Sequence, residues 1–334
     1  MPEPKSSARR PAPLLVADVP WLLYRSFFAL PESIVGTAGT PVNALLGTVN
    51  ALLRAVEACA PRAVVACTGA EEATYRVELY RGYHAHRDPM PAALADQWRA
   101  APGLLGAFGW TVSGSERLEA DDVMFSFAQA ESEAGGRALL LTGDRDLYGA
   151  VGERVALIEQ SRAAGGEAPG ELREVGPDGV RERYGVEPAQ VPDFIALRGD
   201  PSDGLPGAPG VGAKTAAALL ARHGSLEAVL AAAAAGGQDG ARRASGGPTR
   251  PAAGTRGAGP PPGGAAGMTA RIARAIDDNR ELLTAFREIA TLQRIDVERP
   301  ADRATDLAAG ALRAGELGMK ALSRRLARSA TARA

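Results

Sequence analysis

The sequence predicts an α/β fold, with a mostly parallel sheet covered by helices and then a helical region punctuated by glycine and proline. Three observations predict it. From about residue 13 to 160, short β-like runs alternate with stretches that carry apolar residues at helical spacing. Acidic residues recur where a strand should hand over to a loop or helix. From about residue 177 the texture changes to short helices around a turn rich in Gly and Pro.

Residues 1–12 are polar, basic and proline-containing, and are expected to be a disordered lead-in. The expected strands are Leu14–Ala17, Ala63–Cys67, Trp110–Val112, Ala138–Thr142 and Val155–Ile158. Val42–Ala58 and Ala120–Ala134 have helical periodicity and separate them, which favours parallel pairing within a first domain over 13–175. The second region, 176–334, holds expected helices at Val191–Leu197 and Ala213–Ala221, on either side of a turn at Asp200–Gly212. Residues 231–267 are almost entirely Ala, Gly, Pro, Arg, Ser and Thr, and are expected to be a flexible low-complexity insertion. Helical pattern resumes over Met268–Leu292 and again over Ala304–Ala330, where Lys320, Arg324, Arg325 and Arg328 read as a solvated basic face.

Composition narrows the classes. With 334 residues, 46% hydrophobic and 23% charged, the chain has an ordinary globular make-up. It has no apolar run long enough to span a bilayer and no signal-peptide-like apolar start, so no membrane role and a cytoplasmic location are expected. Cys59 and Cys67 lack metal-type spacing and are expected to be reduced thiols. A formal net charge of −1 neither marks nor excludes a nucleic-acid binder.

The acids carry the chemistry. Asp18 follows Leu14-Leu15-Val16-Ala17, Glu119-Ala120-Asp121-Asp122 opens a helix, and Asp144-Arg145-Asp146 follows Leu139–Gly143. Asp200 and Asp203 precede the glycine-rich turn. Acids at the C-terminal ends of parallel strands meet in one crevice. Their mutual repulsion calls for hard cations, and oxygen-only donor sets suit Mg²⁺ or Mn²⁺ and phosphoryl chemistry. Each motif alone also has a structural reading, because first-turn acids complement the helix dipole and Asp is common where strands end. The turn Gly207-Ala208-Pro209-Gly210-Val211-Gly212 leads into a helix with Lys214 and Thr215. Its glycines let backbone N–H groups approach a phosphate, as in a helix-hairpin-helix element. A Walker loop is excluded, since Ala213 stands where that motif requires Lys. Between Tyr75 and Arg87, cations alternate with aromatics, a pattern suited either to a single nucleic-acid strand or to an amphipathic helix.

Taken in order, these motifs resemble the bacterial 5′→3′ exonuclease / flap endonuclease family, including the N-terminal nuclease domain of DNA polymerase I. The resemblance rests on Leu14–Asp18 with Tyr24-Arg25-Ser26-Phe27, on Gly82-Tyr83-x-Ala85-x-Arg87 and on Glu119–Asp122. It continues through Leu141–Tyr148 and Gly199–Gly207, covers about 13–230 and resumes around 268–295. It implies a PIN-like (resolvase-like) nuclease domain, with a helical arch about 71–100, followed by a helix-hairpin-helix DNA-binding region. It further implies two divalent cations, Mg²⁺ or Mn²⁺, held by Asp18, Glu119, Asp121, Asp122, Asp144, Asp146, Asp200 and Asp203. His84 and Arg87 join Asp18, Glu119, Asp121, Asp122, Asp144 and Asp146 as candidate catalytic residues. Tyr83, Arg76 and Arg81 would guide a 5′ end. Gly207, Gly210, Val211, Gly212, Lys214 and Thr215 would hold duplex backbone, with a monovalent cation at the turn. The implied partner is DNA with 5′ flaps, 5′ ends or branches, bound by a monomer.

The chain departs from the family pattern in four places. Cys67 replaces an Asp at the end of the second strand, where Glu71, Glu72 or water would have to substitute. His84 stands where the family has Lys, Ala213 where Glu is commoner, and the 231–267 insertion interrupts the later helices. Two alternatives therefore stay open: a catalytically weak, structure-specific DNA-binding protein, and a PIN-type ribonuclease.

Overall fold

The computed structural model describes residues 11–160, 172–245 and 268–333. The described residues form two compact units: Met1–Thr74 with Arg87–Pro177 and Leu292–Ala334, and Tyr75–His86 with Asp178–Thr291.

The first unit is built on six strands: β1 (Leu14–Asp18), β2 (Ala63–Cys67), β3 (Thr111–Ser113), β4 (Ala138–Leu141), β5 (Val155–Gln160) and β6 (Leu172–Val175). Their order is β3-β2-β1-β4-β5-β6; the first five pair in parallel, and β6 runs antiparallel to β5. Every residue of β1, β2 and β4 is buried, which explains why these strands read as unbroken apolar runs. The helices α1 (Val19–Ala29), α2 (Asn43–Cys59), α4 (Ala92–Ala107) and α5 (Ala120–Glu133) belong to this unit, and α3 (Thr74–Leu79) starts at its boundary. The chain steps from β1 outward to β2 and β3, then returns to β4 on the other side of β1. The sheet's switch point therefore lies between β1 and β4, where an open α/β sheet leaves its crevice.

The expected strands and the helices α2 and α5 agree with these elements to within two residues. The expectations omit β6 and α1, and reach α4 only as part of the helical arch about 71–100. β6 is a short edge strand with two exposed central residues, α1 carries apolar residues on most sides beyond its buried stripe Val19, Leu22, Leu23, Ser26 and Phe27, and α4 carries Pro102 inside it.

The second unit contains most of α3, then α6 (Pro177–Tyr184), α7 (Val191–Arg198), α8 (Ala213–His223), α9 (Leu226–Ser245), α10 (Ala270–Asp278) and α11 (Arg280–Ala290). Phe194, Ile195, Leu219, Leu220, Val229, Ile276, Leu283 and Phe286 are buried in it. One correction applies here. Residues 231–245, expected to open a flexible insertion, continue α9 as helix; over 231–235 the alanine run has the strongest intrinsic helix preference and Ala233 is buried. Residues 246–267 of that insertion lie outside the described residues, as do residues 1–10 of the lead-in. The helical pattern expected over Met268–Leu292 is divided at Asn279, the cap between α10 and α11.

The largest correction concerns the C-terminal segment, placed by sequence in the second region. Residues 292–333 belong to the first unit, where α12 (Leu307–Glu316) and α13 (Lys320–Arg333) join the sheet unit's core through Leu307, Ala311, Ala314, Met319, Leu322 and Leu326. A Cβ at Gly310 would lie 2.3 Å from the Phe108 ring, so only glycine permits α12 to come this close. Buried Glu131 on α5 fastens the segment by ion pairs to both Arg62 and Arg299.

Candidate functional site

Asp18 ends β1 and caps α1. Its Oδ1 accepts from the Trp21 N–H at 2.9 Å, and its Oδ2 accepts from the Thr142 hydroxyl at 2.7 Å. The side chain is buried, and burial is the main reason its pKa is pushed up from 3.8 to about 7. The two hydrogen bonds oppose the rise, and the Asp144 charge adds to it. Thr142 Oγ1 also accepts from the Asp144 N–H at 3.0 Å, and Asp144 Oδ1 accepts from the Asp146 N–H at 3.0 Å. A Cβ at position 143 would lie 2.1 Å from the Trp21 indole, so Gly143 lets this acidic turn close against the start of α1.

Next to Asp18 in register stands Cys67, at the end of β2. It is fully buried, and burial, followed by the charges of Asp18 and Asp121, pushes its thiol far above the usual range. Asp121, in the first turn of α5, is therefore close enough to be felt at the end of β2. The loop after β2 is strapped onto the start of α5. The Ala70 N–H donates to Leu118 O at 2.9 Å, the Ala73 N–H donates to Glu119 Oε1 at 2.9 Å, and a Cβ at Gly69 would sit 2.4 Å from Ala120 N. Glu71 accepts from the Tyr24 hydroxyl at 2.9 Å; burial and then Glu71 push that phenol up to about 12.

Not every predicted acid shares this setting. Asp122 is fully buried, and its Oδ1 accepts from the Gln293 N–H at 2.7 Å. One turn on, the Ser126 hydroxyl accepts from the Ile295 N–H at 3.0 Å, so this face of α5 anchors the C-terminal segment. Neighbouring helix positions point about 100° apart, which is why Asp121 and Asp122 diverge although they are adjacent in sequence.

The donor chemistry suits a divalent cation. Asp18, Asp121 and Asp144 supply hard oxygen atoms, and a buried carboxylate with a pKa of about 7 beside other carboxylates is the situation a bound cation would relieve. Asp18, Asp121 and Asp144 would hold such an ion, with Glu119 and Asp146 on flanking turns. Among the described residues, no three Asp, Glu, His or Cys side chains already stand in metal-binding array.

In the second unit, Asp200 and Asp203 lie in the turn after α7. Asp200 Oδ1 accepts from the Ser202 N–H at 2.8 Å, and its Oδ2 accepts from Arg198 at 2.9 Å. Asp203 is held by His84, whose backbone N–H donates to Asp203 O at 3.1 Å and whose Nε2 lies 3.1 Å from Asp203 Oδ1. His84 has φ +54° and stacks on Tyr83 with ring centroids 3.8 Å apart.

His84, expected as a candidate catalytic residue, and Tyr83 and Arg76, expected to guide a 5′ end, are buried, and Arg76 Nε donates to the Tyr75 hydroxyl at 2.9 Å. Between Tyr75 and Arg87, Arg76, Tyr83 and His84 are buried, Tyr75 and Tyr80 half-buried, and Arg81, His86 and Arg87 exposed. The glycine-rich turn is as the sequence suggests. Gly207 (φ +66°) packs where a Cβ would meet Gly199 N at 2.3 Å, while Gly210 and Gly212 face open space and Val211 is buried. Lys214 is exposed and Thr215 half-buried in the first turn of α8.

Sequence reasoning missed Thr142 and Trp21, which fix Asp18. The signal was present in Thr142-Gly143-Asp144, but which strand end lies beside it is a matter of sheet order.

Residues 13–185 match the family model described as the 5′-3′ exonuclease, N-terminal resolvase-like domain, and residues 186–305 match the 5′-3′ exonuclease, C-terminal SAM fold. A 5′-3′ exonuclease of Mycobacterium tuberculosis (strain ATCC 25618 / H37Rv) is 36% identical over 237 residues, covering 66% of this chain and 73% of the relative. The DNA polymerase I of Mycobacterium leprae is 40% identical over 219 residues, covering 65% of this chain; the match spans only 23% of that relative's length. Among solved structures, a bacteriophage T5 flap endonuclease complex with DNA and metal ions superposes with a TM-score of 0.60 at 14% identity, covering 95% of this chain and 99% of that one. The catalytic core of Rad2 in complex with DNA substrate superposes at 0.57 and 13% identity, covering 95% and 93%. With a resolvase-like sheet unit, a helical second unit and family matches running through both, the chain belongs to the 5′-3′ exonuclease family.

Proposed function

We propose that this chain hydrolyses phosphodiester bonds of DNA at 5′ ends and 5′ flaps, using two divalent cations. The observation that carries the reading is Asp18, a buried carboxylate fixed at the switch point of the sheet beside Asp144. Relatives named 5′-3′ exonuclease and DNA polymerase I, and structural neighbours solved with DNA, support the substrate class. A divalent cation in such a site supplies Lewis acidity and a water deprotonated near neutral pH. The chain's own part is orientation. Thr142 and the Trp21 N–H aim the two oxygens of Asp18, and the Asp146 N–H orients Asp144. The turn at Gly210–Gly212, whose two glycines face open space, and exposed Lys214 fit a phosphate backbone. The match over 186–305 to the exonuclease C-terminal domain argues against a PIN-type ribonuclease.

A second reading rests on Cys67, which puts a buried thiol beside Asp18 where a further carboxylate would complete the set. It is a structure-specific DNA-binding protein with feeble turnover. Cleavage of an end-labelled 5′-flap DNA in Mg²⁺ and in Mn²⁺ separates the two, with EDTA and an Asp144→Asn/Asp146→Asn variant as controls. Metal-dependent cutting that falls on the order of a hundredfold or more in the variant supports the nuclease. Tight flap binding with no cutting in either metal supports the second reading. Asp200→Asn and Asp203→Asn variants in the same assay test the acid pair of the second unit.

A further inference from the structure

Both family matches end by residue 305, so α12 and α13 lie beyond them. Yet α13 is firmly seated, with Leu322 and Leu326, and Met319 just before it, buried in the sheet unit's core. Its opposite side carries Lys320, Arg324 and Arg328 at i, i+4 and i+8, all exposed, a stripe about 12 Å long. The chain has no acidic residue after Glu316, and among the described residues none of Lys320, Arg324, Arg325 and Arg328 forms an ion pair.

The stripe has cationic neighbours in the same unit. Arg325 and the Nε of Arg54 both donate to Asn50 on α2, Arg325 to its side chain and Arg54 to its carbonyl. Burial and then the charge of Arg25 lower the pKa of Arg54. Arg25 in turn lies over the Trp21 indole at 5.4 Å, on the helix that Asp18 caps. Cations thus follow one another from the acidic end of β1 to α13.

We propose that α13 is an additional phosphate-contacting surface, on which Lys320, Arg324 and Arg328 bind the backbone of duplex DNA without reading sequence. The proposal rests on the DNA-substrate reading above. Membrane binding fits less well, because an interfacial helix inserts its apolar face into lipid and the apolar face of α13 is already committed to the core.

The test is binding of a fluorescent 5′-flap duplex in Ca²⁺ across a KCl series, by anisotropy, for the parent and a Lys320→Ala/Arg324→Ala/Arg328→Ala variant. Metal-dependent cleavage by the parent is measured alongside. Three lost phosphate contacts lower the slope of log K against log salt by about 2–3 and weaken binding roughly tenfold or more at moderate salt. An Arg324→Lys/Arg328→Lys variant, which keeps the charges, retains the parental slope, and circular dichroism confirms the helix content of each. A parent that cuts flaps and a triple-alanine variant with unchanged slope and affinity overturn the α13 surface alone. A parent that neither binds nor cuts DNA overturns both readings. Loss of sedimentation with phosphatidylglycerol vesicles, with DNA binding unchanged, assigns the stripe to a lipid surface and overturns the proposal.

Discussion

Replacing Asp18 by asparagine should stabilise the metal-free protein while abolishing metal-dependent activity. The carboxylate is buried and its pKa is raised from 3.8 to about 7, so the folded state holds a proton that the unfolded chain releases. Because the folded pKa is the higher one, stability falls as pH rises between about 4 and 7, and the cost is complete above that. At about 1.4 kcal/mol for each pH unit, the full cost comes to about 4 kcal/mol. Asparagine keeps an acceptor for the Trp21 N–H and remains a good helix cap, but carries no charge. Urea unfolding of the first unit in EDTA at pH 5, 6, 7 and 8 should show the Asp18→Asn curve diverging upward from the parent, then running level. Mg²⁺ should narrow the gap by stabilising only the parent. Parallel curves across this range would refute the claim that burial of Asp18 stores this cost.

Four other substitutions separate structural from chemical roles. Glu131→Gln should cost about 3 kcal/mol, because it leaves Arg62 and Arg299 without their shared buried partner. Burial alone would raise Glu131, but hydrogen bonds from the two arginines hold it below 4.5, so its contribution is present above pH 4.5 and lost as pH falls through the lower folded value. Thermal melts of parent and variant should converge in acid. Asp122→Ala removes the buried acceptor of the Gln293 N–H and should cost about 2 kcal/mol with metal affinity by calorimetry unchanged; the reverse pattern would make Asp122 a ligand. Gly207→Ala should destabilise the second unit by more than about 2 kcal/mol, since a left-handed backbone combines with a 2.3 Å clash, whereas Gly210→Ala faces open space and should cost about 1 kcal/mol. Equal shifts in hydrogen exchange for the two variants would contradict this.

The strands were legible because β1, β2 and β4 are buried on both faces, and such strands can be written only as runs like Leu14-Leu15-Val16-Ala17. The hairpin turn was legible because positive φ at Gly207 and Gly210 admits few residues other than glycine. Ala231–Ser245 misled because a composition without an apolar face looks like linker, while alanine still favours helix. The 75–87 segment stayed ambiguous because an interleaved Tyr and Arg pattern describes a partly buried helix as well as a strand-binding face, and which residues are buried is set by packing.

The sequence by itself determined the α/β order, the position of each acid at an element boundary and the glycine turn, because these depend on local rules of burial, period and backbone freedom. Tertiary structure decided which of those boundaries are neighbours. It placed Thr142 on Asp18, turned Asp122 and Glu131 toward the C-terminal segment, buried His84 against Asp203, and moved residues 292–333 into the sheet unit. Each of these is a contact between residues far apart in the chain, set by sheet order and packing, and no local pattern encodes it.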